Sequence, residues 1–364
     1  MPDISKINNA AIGDVSKIDG VAKADISKYG DATVPAGTEQ ATRWFMGTTS
    51  GKIFESNSAT FASGSVSQLV DFGGDQFTSL AIGQDGSGNK RWCLYNKAAG
   101  VDIRYGNNSG TLGDSTQWTS VAWDDAHQAQ TNGGPAIAWG NGNWFAVGNR
   151  RSAGGGLYYP MMSSSDGAAS WIEVQDSSFT VNASPRTIAY KDTDFWVIGH
   201  GTAFFTSSNA ITWGDTGTSA GSTINAIAYD GTSRWVSVGQ TGTVYYSDDN
   251  FGSVTQATYP WTSNVFGLCY AAGSINKWIA VGATGRIAYS SDGITFSAST
   301  VPAVLGTANL QGVATDNTTI VAVGNNNMIL TSSDGTNWSR VSSSDSTGYT
   351  LYTVACDVVG AGMR

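Results

Sequence analysis

The stretch YTLYTVACD, Tyr349–Asp357, opens like the first strand of a structural unit, yet only seven residues follow it. Its core, YTVACD, matches AIAYD (Ala226–Asp230) and GVATD (Gly312–Asp316), and each of those begins a longer pattern. From Pro135 onward that pattern recurs. It runs as a short apolar strand, an aromatic-led strand ending in Gly, a tight turn, a second aromatic strand, and a Ser-Asp-Gly turn closing on Trp or Phe. The Gly that ends the second strand falls at Gly148, Gly199, Gly239, Gly282 and Gly324, at intervals of 51, 40, 43 and 42 residues.

A period of about 40 to 50 residues with several short strands per repeat is the signature of a β-propeller. Two weaker copies precede the five clear ones. SLAIG, RWCLY and VDIRYG run from Ser79 to Gly106, and RWFMG with KIFESNSATF runs from Arg43 to Phe61 without a first strand. The C-terminal stretch supplies that missing strand. Its pairing beside Arg43 closes a ring of seven blades, one shared and six continuous, and removes the sheet edges that an open array would expose. The predicted fold is all-β: a seven-bladed β-propeller over residues 36–364, closed by the C-terminal strand and preceded by a short N-terminal docking arm at 1–35.

Composition agrees with short strands and turns. The 364 residues include 46 glycines, only 13% are charged, and Glu occurs only at Glu39, Glu55 and Glu173, which disfavours helices. A net charge of −9 excludes general affinity for a phosphate backbone, so nucleic acid is not an expected partner. MPDISKINNA has no basic segment followed by an apolar run, and no stretch is long enough to span a bilayer, so neither a Sec signal nor membrane insertion is expected. Cys93, Cys269 and Cys356 each lie in an apolar strand-like run and read as small buried hydrophobes.

The Ser-Asp-Gly turns are SSSDGAASW (Ser163–Trp171), SSDGITF (Ser290–Phe296) and SSDGTNW (Ser332–Trp338), with degenerate copies from Ser207 and Ser56. Asp166, Asp292 and Asp334 accept hydrogen bonds from turn N–H groups, Gly167, Gly293 and Gly335 supply positive φ, and Trp171, Trp213 and Trp338 pack between strands. Trp144, Trp196, Trp235 and Trp278 share one register of the second strand, where flat side chains fill the wedge between blades. The turns resemble the Asp-box of sialidase-like and photosystem II assembly factor-like propellers. The resemblance implies seven blades and turns on the outer, lower rim, where they hold structure and do no chemistry.

The first 31 residues contain three copies of an 11-residue unit, starting at Asp3, Asp14 and Asp25, with Lys6, Lys17 and Lys28 equivalent. Units so short and polar cannot build a core. They read either as a docking segment that lies on a partner or as a solubilising tail. The Ile-Ser-Lys-Ile-Asn/Asp-Gly pattern resembles N-terminal arms of virion proteins of tailed bacteriophages, marine and cyanobacterial ones in particular. That resemblance implies docking through Ile4, Lys6, Ile7, Val15, Lys17, Ile18, Ile26 and Lys28 to other virion proteins, a place in the virion after assembly in the host cytoplasm, and oligomerisation following particle symmetry.

No catalytic constellation emerges. A sialidase resemblance implies an Arg triad and a Phe/Tyr-Arg-Ile-Pro segment, and the nearest stretch, DIRYG around Arg104, lacks the aromatic and the Pro. No metal or cofactor is expected. Loops joining second to third strands, with Arg150, Arg151, His200, Gln240 and Asn325, and loops joining blades, with Asp124, His127 and Trp261, are the candidate binding residues for a host glycan or a protein. The leading expectation is a non-enzymatic virion component whose arm docks and whose propeller is exposed for adhesion, decoration or stabilisation. The alternatives are a protein-binding propeller resembling the photosystem II assembly factors and a sialidase-like glycan-degrading enzyme.

Overall fold

In the computed structural model, Leu351–Asp357 pairs antiparallel with Arg43–Thr48, from Arg43↔Asp357 to Thr48↔Leu351. The described residues are 17–18, 21–22, 43–56, 61, 65–97, 103–107, 112–121, 136–148, 151–153, 156–158, 161–174, 185–191, 195–342 and 348–357. Two compact units divide the chain, Met1–Ala41 and Thr42–Arg364. In the first, Lys17–Ile18 pairs antiparallel with Val21–Ala22, on either side of an Asp-Gly dipeptide that favours hairpin turns.

The second unit holds seven four-stranded sheets. Blade 1 is Leu351–Asp357, Arg43–Thr48, Lys52–Ser56 and Val66–Asp71. Blade 2 is Phe77–Gln84, Lys90–Asn96, Ile103–Asn107 and Trp118–Val121. Blade 3 is Ala136–Gly140, Asn143–Val147, Met161–Ser164 and Ile172–Glu173. Blade 4 is Pro185–Lys191, Phe195–His200, Ala203–Ser207 and Gly214–Ser219. Blade 5 is Ile224–Tyr229, Trp235–Gly239, Val244–Ser247 and Thr255–Gln256. Blade 6 is Val265–Ala271, Lys277–Gly282, Ile287–Ser290 and Ser297–Ala298. Blade 7 is Leu310–Thr315, Ile320–Gly324, Met328–Ser332 and Ser339–Arg340. Each first strand lies beside the first strands of both neighbouring blades, so the ring closes as the sequence predicts.

The core is divided among the seven interfaces between blades. One buried cluster sits at each of them, including the closing one, where Trp44 and Met46 of blade 1 meet Val321, Val323 and Ile329 of blade 7. The wedge residue is the predicted Trp. Trp144, Trp196, Trp235 and Trp278 are all buried, as are Trp44 and Trp92 in the same register, and blade 7 substitutes Ile320. Six of these seven residues pair with a Ser of the third strand, from Trp44↔Ser56 through Trp278↔Ser290 to Ile320↔Ser332. Of the cysteines, Cys93 is buried, while Cys269 and Cys356 are half-buried; all three are free thiols.

That Ser begins the lower turn. In blade 7 Ser332 donates to Asp334 Oδ1 (3.0 Å), which also accepts from the N–H groups of Thr336 and Asn337, both at 2.8 Å. Asp166 and Asp292 build the same turn, and Asn209 replaces the Asp in blade 4. Asp249 makes a further copy with Ser247 and Ser253 that the sequence pattern did not single out, because SDDNF lacks the Gly. Gly167, Gly293 and Gly335 have φ between 71° and 77°. Trp213 and Trp338 are buried, and Trp171 donates its indole N–H to Ala168 O (3.1 Å).

These turns also join blades. The basic residue preceding the wedge Trp reaches the next blade's turn: Arg91 to Gly167 O, Arg234 to Asp292 O, and Lys277 to Asp334 O (2.8 Å). Isolated parallel bridges, Thr258↔Thr295 and Thr300↔Asn337, add a backbone link from each preceding blade.

Two outcomes follow from this construction. A chain ending at residue 348 leaves Arg43–Thr48 as an open edge. Calorimetry and light scattering should then show loss of the single sharp thermal transition and aggregation, whereas a chain lacking residues 1–35 keeps the transition. The second concerns acid. Burial alone would raise the Asp166 carboxyl, but hydrogen bonds from Ser170, Ser164 and Ala169 outweigh it and hold it at about 2, from an ordinary 3.8. Asp249, Asp292 and Asp334 are likewise lowered. A depressed folded-state value gives stability that is present above the unfolded value and lost as pH falls through the folded one. The thermal midpoint should therefore drop between about pH 4 and pH 2, with a shallower slope when Asp166 and Asp334 are both Asn.

Candidate functional site

In an antiparallel blade the first and third strands run the same way. Turns joining second to third strands and segments leading into the next blade therefore share one face, the upper one, and the Ser-Asp turns occupy the other. Gln240, Asn325 and Trp261 all belong to the upper face. Gln240 and Asn325 open the second-to-third-strand turns of blades 5 and 7, where each donates its N–H to the residue preceding its own blade's first strand (Thr223 O, 3.0 Å; Asn309 O, 2.9 Å). Asn325 also accepts from Gln311 (3.2 Å). These contacts anchor the turns.

His200 departs from the sequence reading. It is the last residue of a strand rather than a turn residue, is 0% exposed, and packs edge-on against Phe205 with ring centroids 5.6 Å apart. It is a core residue because blade 4 extends its second strand one residue past the repeat's Gly. Arg151 lies in a short hairpin, Arg151–Ala153 with Gly156–Tyr158. Arg150, Asp124 and His127, and in the arm Ile4, Lys6, Ile7, Val15, Ile26 and Lys28, lie outside the described residues.

Trp261, one of the predicted residues, lines a cavity. A cleft of about 230 Å³ is bounded by Trp261 from the segment entering blade 6, the turn Ala283–Gly285 with Arg286 and Ile287, and the segment leaving blade 6 from Ser299 to Gly306. The Arg286 guanidinium lies over the Trp261 ring, 5.3 Å from its centroid, and Tyr259 meets Trp261 edge-on at 5.7 Å. Burial pushes the Tyr259 phenol up, against a smaller opposing effect of the Arg286 cation. Among the described residues no carboxylate lies within salt-bridge distance of Arg286, in contrast to Arg43, Arg91, Arg104 and Arg234.

The cleft's polar groups divide into committed and uncommitted ones. Ser299 Oγ donates to Gly335 O (3.1 Å) and Thr284 Oγ1 to Ala283 O (2.7 Å), whereas the Arg286 guanidinium is held over the Trp261 ring. Val301, Pro302 and Leu305 form the apolar wall, and Val304 beside them is 55% exposed. A cation on an aromatic floor with an apolar wall recognises an acidic or planar polar group attached to a hydrophobic body. The lining contains neither imidazole nor carboxylate, and among the described residues no group of three or more His, Cys, Asp or Glu could hold a metal ion. Arg286 and Tyr259 were missed at the sequence level. The available signal was the Tyr259-Pro-Trp261 segment between blades.

No protein-family model matches the sequence, and no curated protein matches it. Several solved structures share the fold. YCF48 bound to D1 peptide has 12% identity over 85% of this chain and 88% of its own, with a TM-score of 0.53. YCF48 from Cyanidioschyzon merolae has 12% identity over 73% and 84%, TM-score 0.52, and apo AztD from Citrobacter koseri has 9% over 87% and 98%, TM-score 0.53. At such identities the likeness is one of architecture, a β-propeller carrying whatever site its loops supply.

Gly285 gives a test of the cleft. Its φ is 69°, and an added Cβ would stand 2.7 Å from Leu305 Cγ. Gly285→Ala should lower stability by about 1–3 kcal/mol in denaturant titration, while Val304→Ser, at the exposed rim, should leave it within about 0.5 kcal/mol.

Proposed function

We propose that this chain is a non-enzymatic, protein-binding propeller that serves as a structural component of a tailed-phage particle, its arm docking to other virion proteins and its upper face presented outward. The observation that carries the reading is the arm's three-fold 11-residue repeat, in which Lys6, Lys17 and Lys28 recur in register. A repeated short motif too polar to form a core makes sense as a strip that repeats the same contact on a partner. Pairing of Lys17–Ile18 with Val21–Ala22 gives the middle copy a local hairpin. On the propeller, the committed polar groups and the single uncommitted guanidinium of the Trp261 cleft favour recognition over turnover.

A second reading, a protein-binding propeller of assembly-factor type, draws on YCF48, a protein of the same fold that is bound to D1 peptide. Both readings place a protein partner on the propeller. They differ over the arm.

The deciding experiment is co-sedimentation of purified phage particles, and pull-down of their capsid and tail proteins, with the full chain and with a chain beginning at Ala36. Binding that requires residues 1–35 is the expected result. Equal binding by both chains transfers the interaction to the propeller and supports the second reading. Absence of binding by either removes the virion role.

A further inference from the structure

Among the described residues, six first strands carry a register shift at the same place, next to the upper face; the corresponding position of blade 3 lies outside them. The shifts lie between Phe77 and Ser79, Pro185 and Thr187, Ile224 and Ala226, Val265 and Gly267, and Leu310 and Gly312. In blade 1 the shift sets Thr353 and Leu351 opposite Gly47 and Thr48. Each bulge leaves one residue outside the ladder: Thr78, Arg186, Asn225, Phe266, Gln311 and Tyr352. The residue before each bulge is apolar and buried, at Phe77, Pro185, Ile224, Val265, Leu310 and Leu351, whereas all six bulged residues are half-buried. First strands are the innermost of a propeller blade, so these residues lie nearest the ring's axis.

The repeats serve as an alignment within one chain. Positions that packing dictates recur as Trp, Ser and large aliphatics, while the bulged position holds six different residues. The fold needs a bulge there and leaves its side chain free, and a bulge re-aims the side chain it carries. From these positions we propose that the upper mouth of the central channel is a carboxylate-binding site, with Arg186 as its cation and Asn225, Tyr352 and Phe266 as its walls.

Arg186 is the one charged residue among the six. Its Nη1 reaches Asn225 Oδ1 of the adjacent blade at a long 3.4 Å, and Asn225 is held by its own Nδ2 donating to Val265 O (2.8 Å). No carboxylate among the described residues lies within salt-bridge distance of Arg186. Burial holds the guanidinium below its ordinary value, partly offset by Tyr352 of blade 1. A partly desolvated guanidinium facing uncharged neighbours gains a charge-assisted, bidentate pair when a carboxylate enters. Asp357, the carboxylate within the described first strands, belongs to the opposite end of the channel, as does Asp316 just after its strand. A carboxylate on a short aliphatic arm fits this mouth, carried either by an acidic side chain of a protein segment or by a free dicarboxylate.

The site needs no docking arm, so its test is independent of the virion reading. Calorimetric titration of the full chain with a capped AAEAA pentapeptide, its AAQAA counterpart and succinate separates the outcomes. The Glu peptide should bind about tenfold more tightly than the Gln peptide. Arg186→Gln should abolish that ratio, Arg186→Lys should retain part of it, and Arg340→Gln, on the exposed outermost strand of blade 7, should leave it unchanged. All three variants should keep the parent melting temperature to within about 4 °C. Succinate binding without peptide binding supports the site and assigns it to a free dicarboxylate. A Glu to Gln ratio near one in the absence of succinate binding, discrimination that survives in Arg186→Gln, or binding of none of the probes overturns the proposal.

Discussion

The antiparallel pairing of Leu351–Asp357 with Arg43–Thr48 is the interaction on which the rest of the structure depends. A propeller blade is stable only when both of its faces are covered, and each face is covered by a neighbour. Seven interfaces exist only if the last blade meets the first. The closing cluster brings Trp44, Phe54 and Leu351 against Val321, Val323 and Ile329, and an ion pair from Lys90 to Asp357 ties the C-terminal strand onward to blade 2. Because the shared blade combines the two ends of the propeller unit, the ring is fastened by strand pairing distant in sequence, and no single blade is independent of it.

Within that ring the wedge Trp and the lower turn form one device. The Ser opposite the Trp starts the turn, the turn's carbonyls receive a basic residue of the preceding blade, and that basic residue sits immediately before the preceding blade's own wedge residue. Packing, turn chemistry and charge pairing therefore repeat together with the same period. Their coincidence explains why Arg91, Arg234 and Lys277 recur before an aromatic in a chain otherwise poor in charge. The lower turns are thereby tied into the packing between blades.

The repeat makes the blade count, the missing first strand and the wedge Trp legible in the sequence, because each blade must satisfy the same packing constraint and writes it in the same residues. The candidate site was much less legible. Trp261 was found and Tyr259 lies two residues before it, but Arg286 comes from a strand start some 25 residues further on and is brought over the Trp261 ring only when blade 6 folds. His200 was misplaced because a one-residue extension of a strand converts a turn position into a core position without altering the local sequence pattern. The bulged residues are illegible for the opposite reason: they break the repeat, and periodicity carries no signal for a position that does not recur.

By itself the sequence determined that the chain is a seven-bladed ring with its last strand in its first blade, and where most of its Ser-Asp turns lie. Those properties are local or periodic, and hydrophobic spacing and turn chemistry encode them directly. Only the tertiary structure decided which polar groups remain uncommitted. Whether Arg186 and Arg286 face a carboxylate, a carbonyl or an open channel depends on neighbours contributed by other blades, and closure of the ring sets those neighbours.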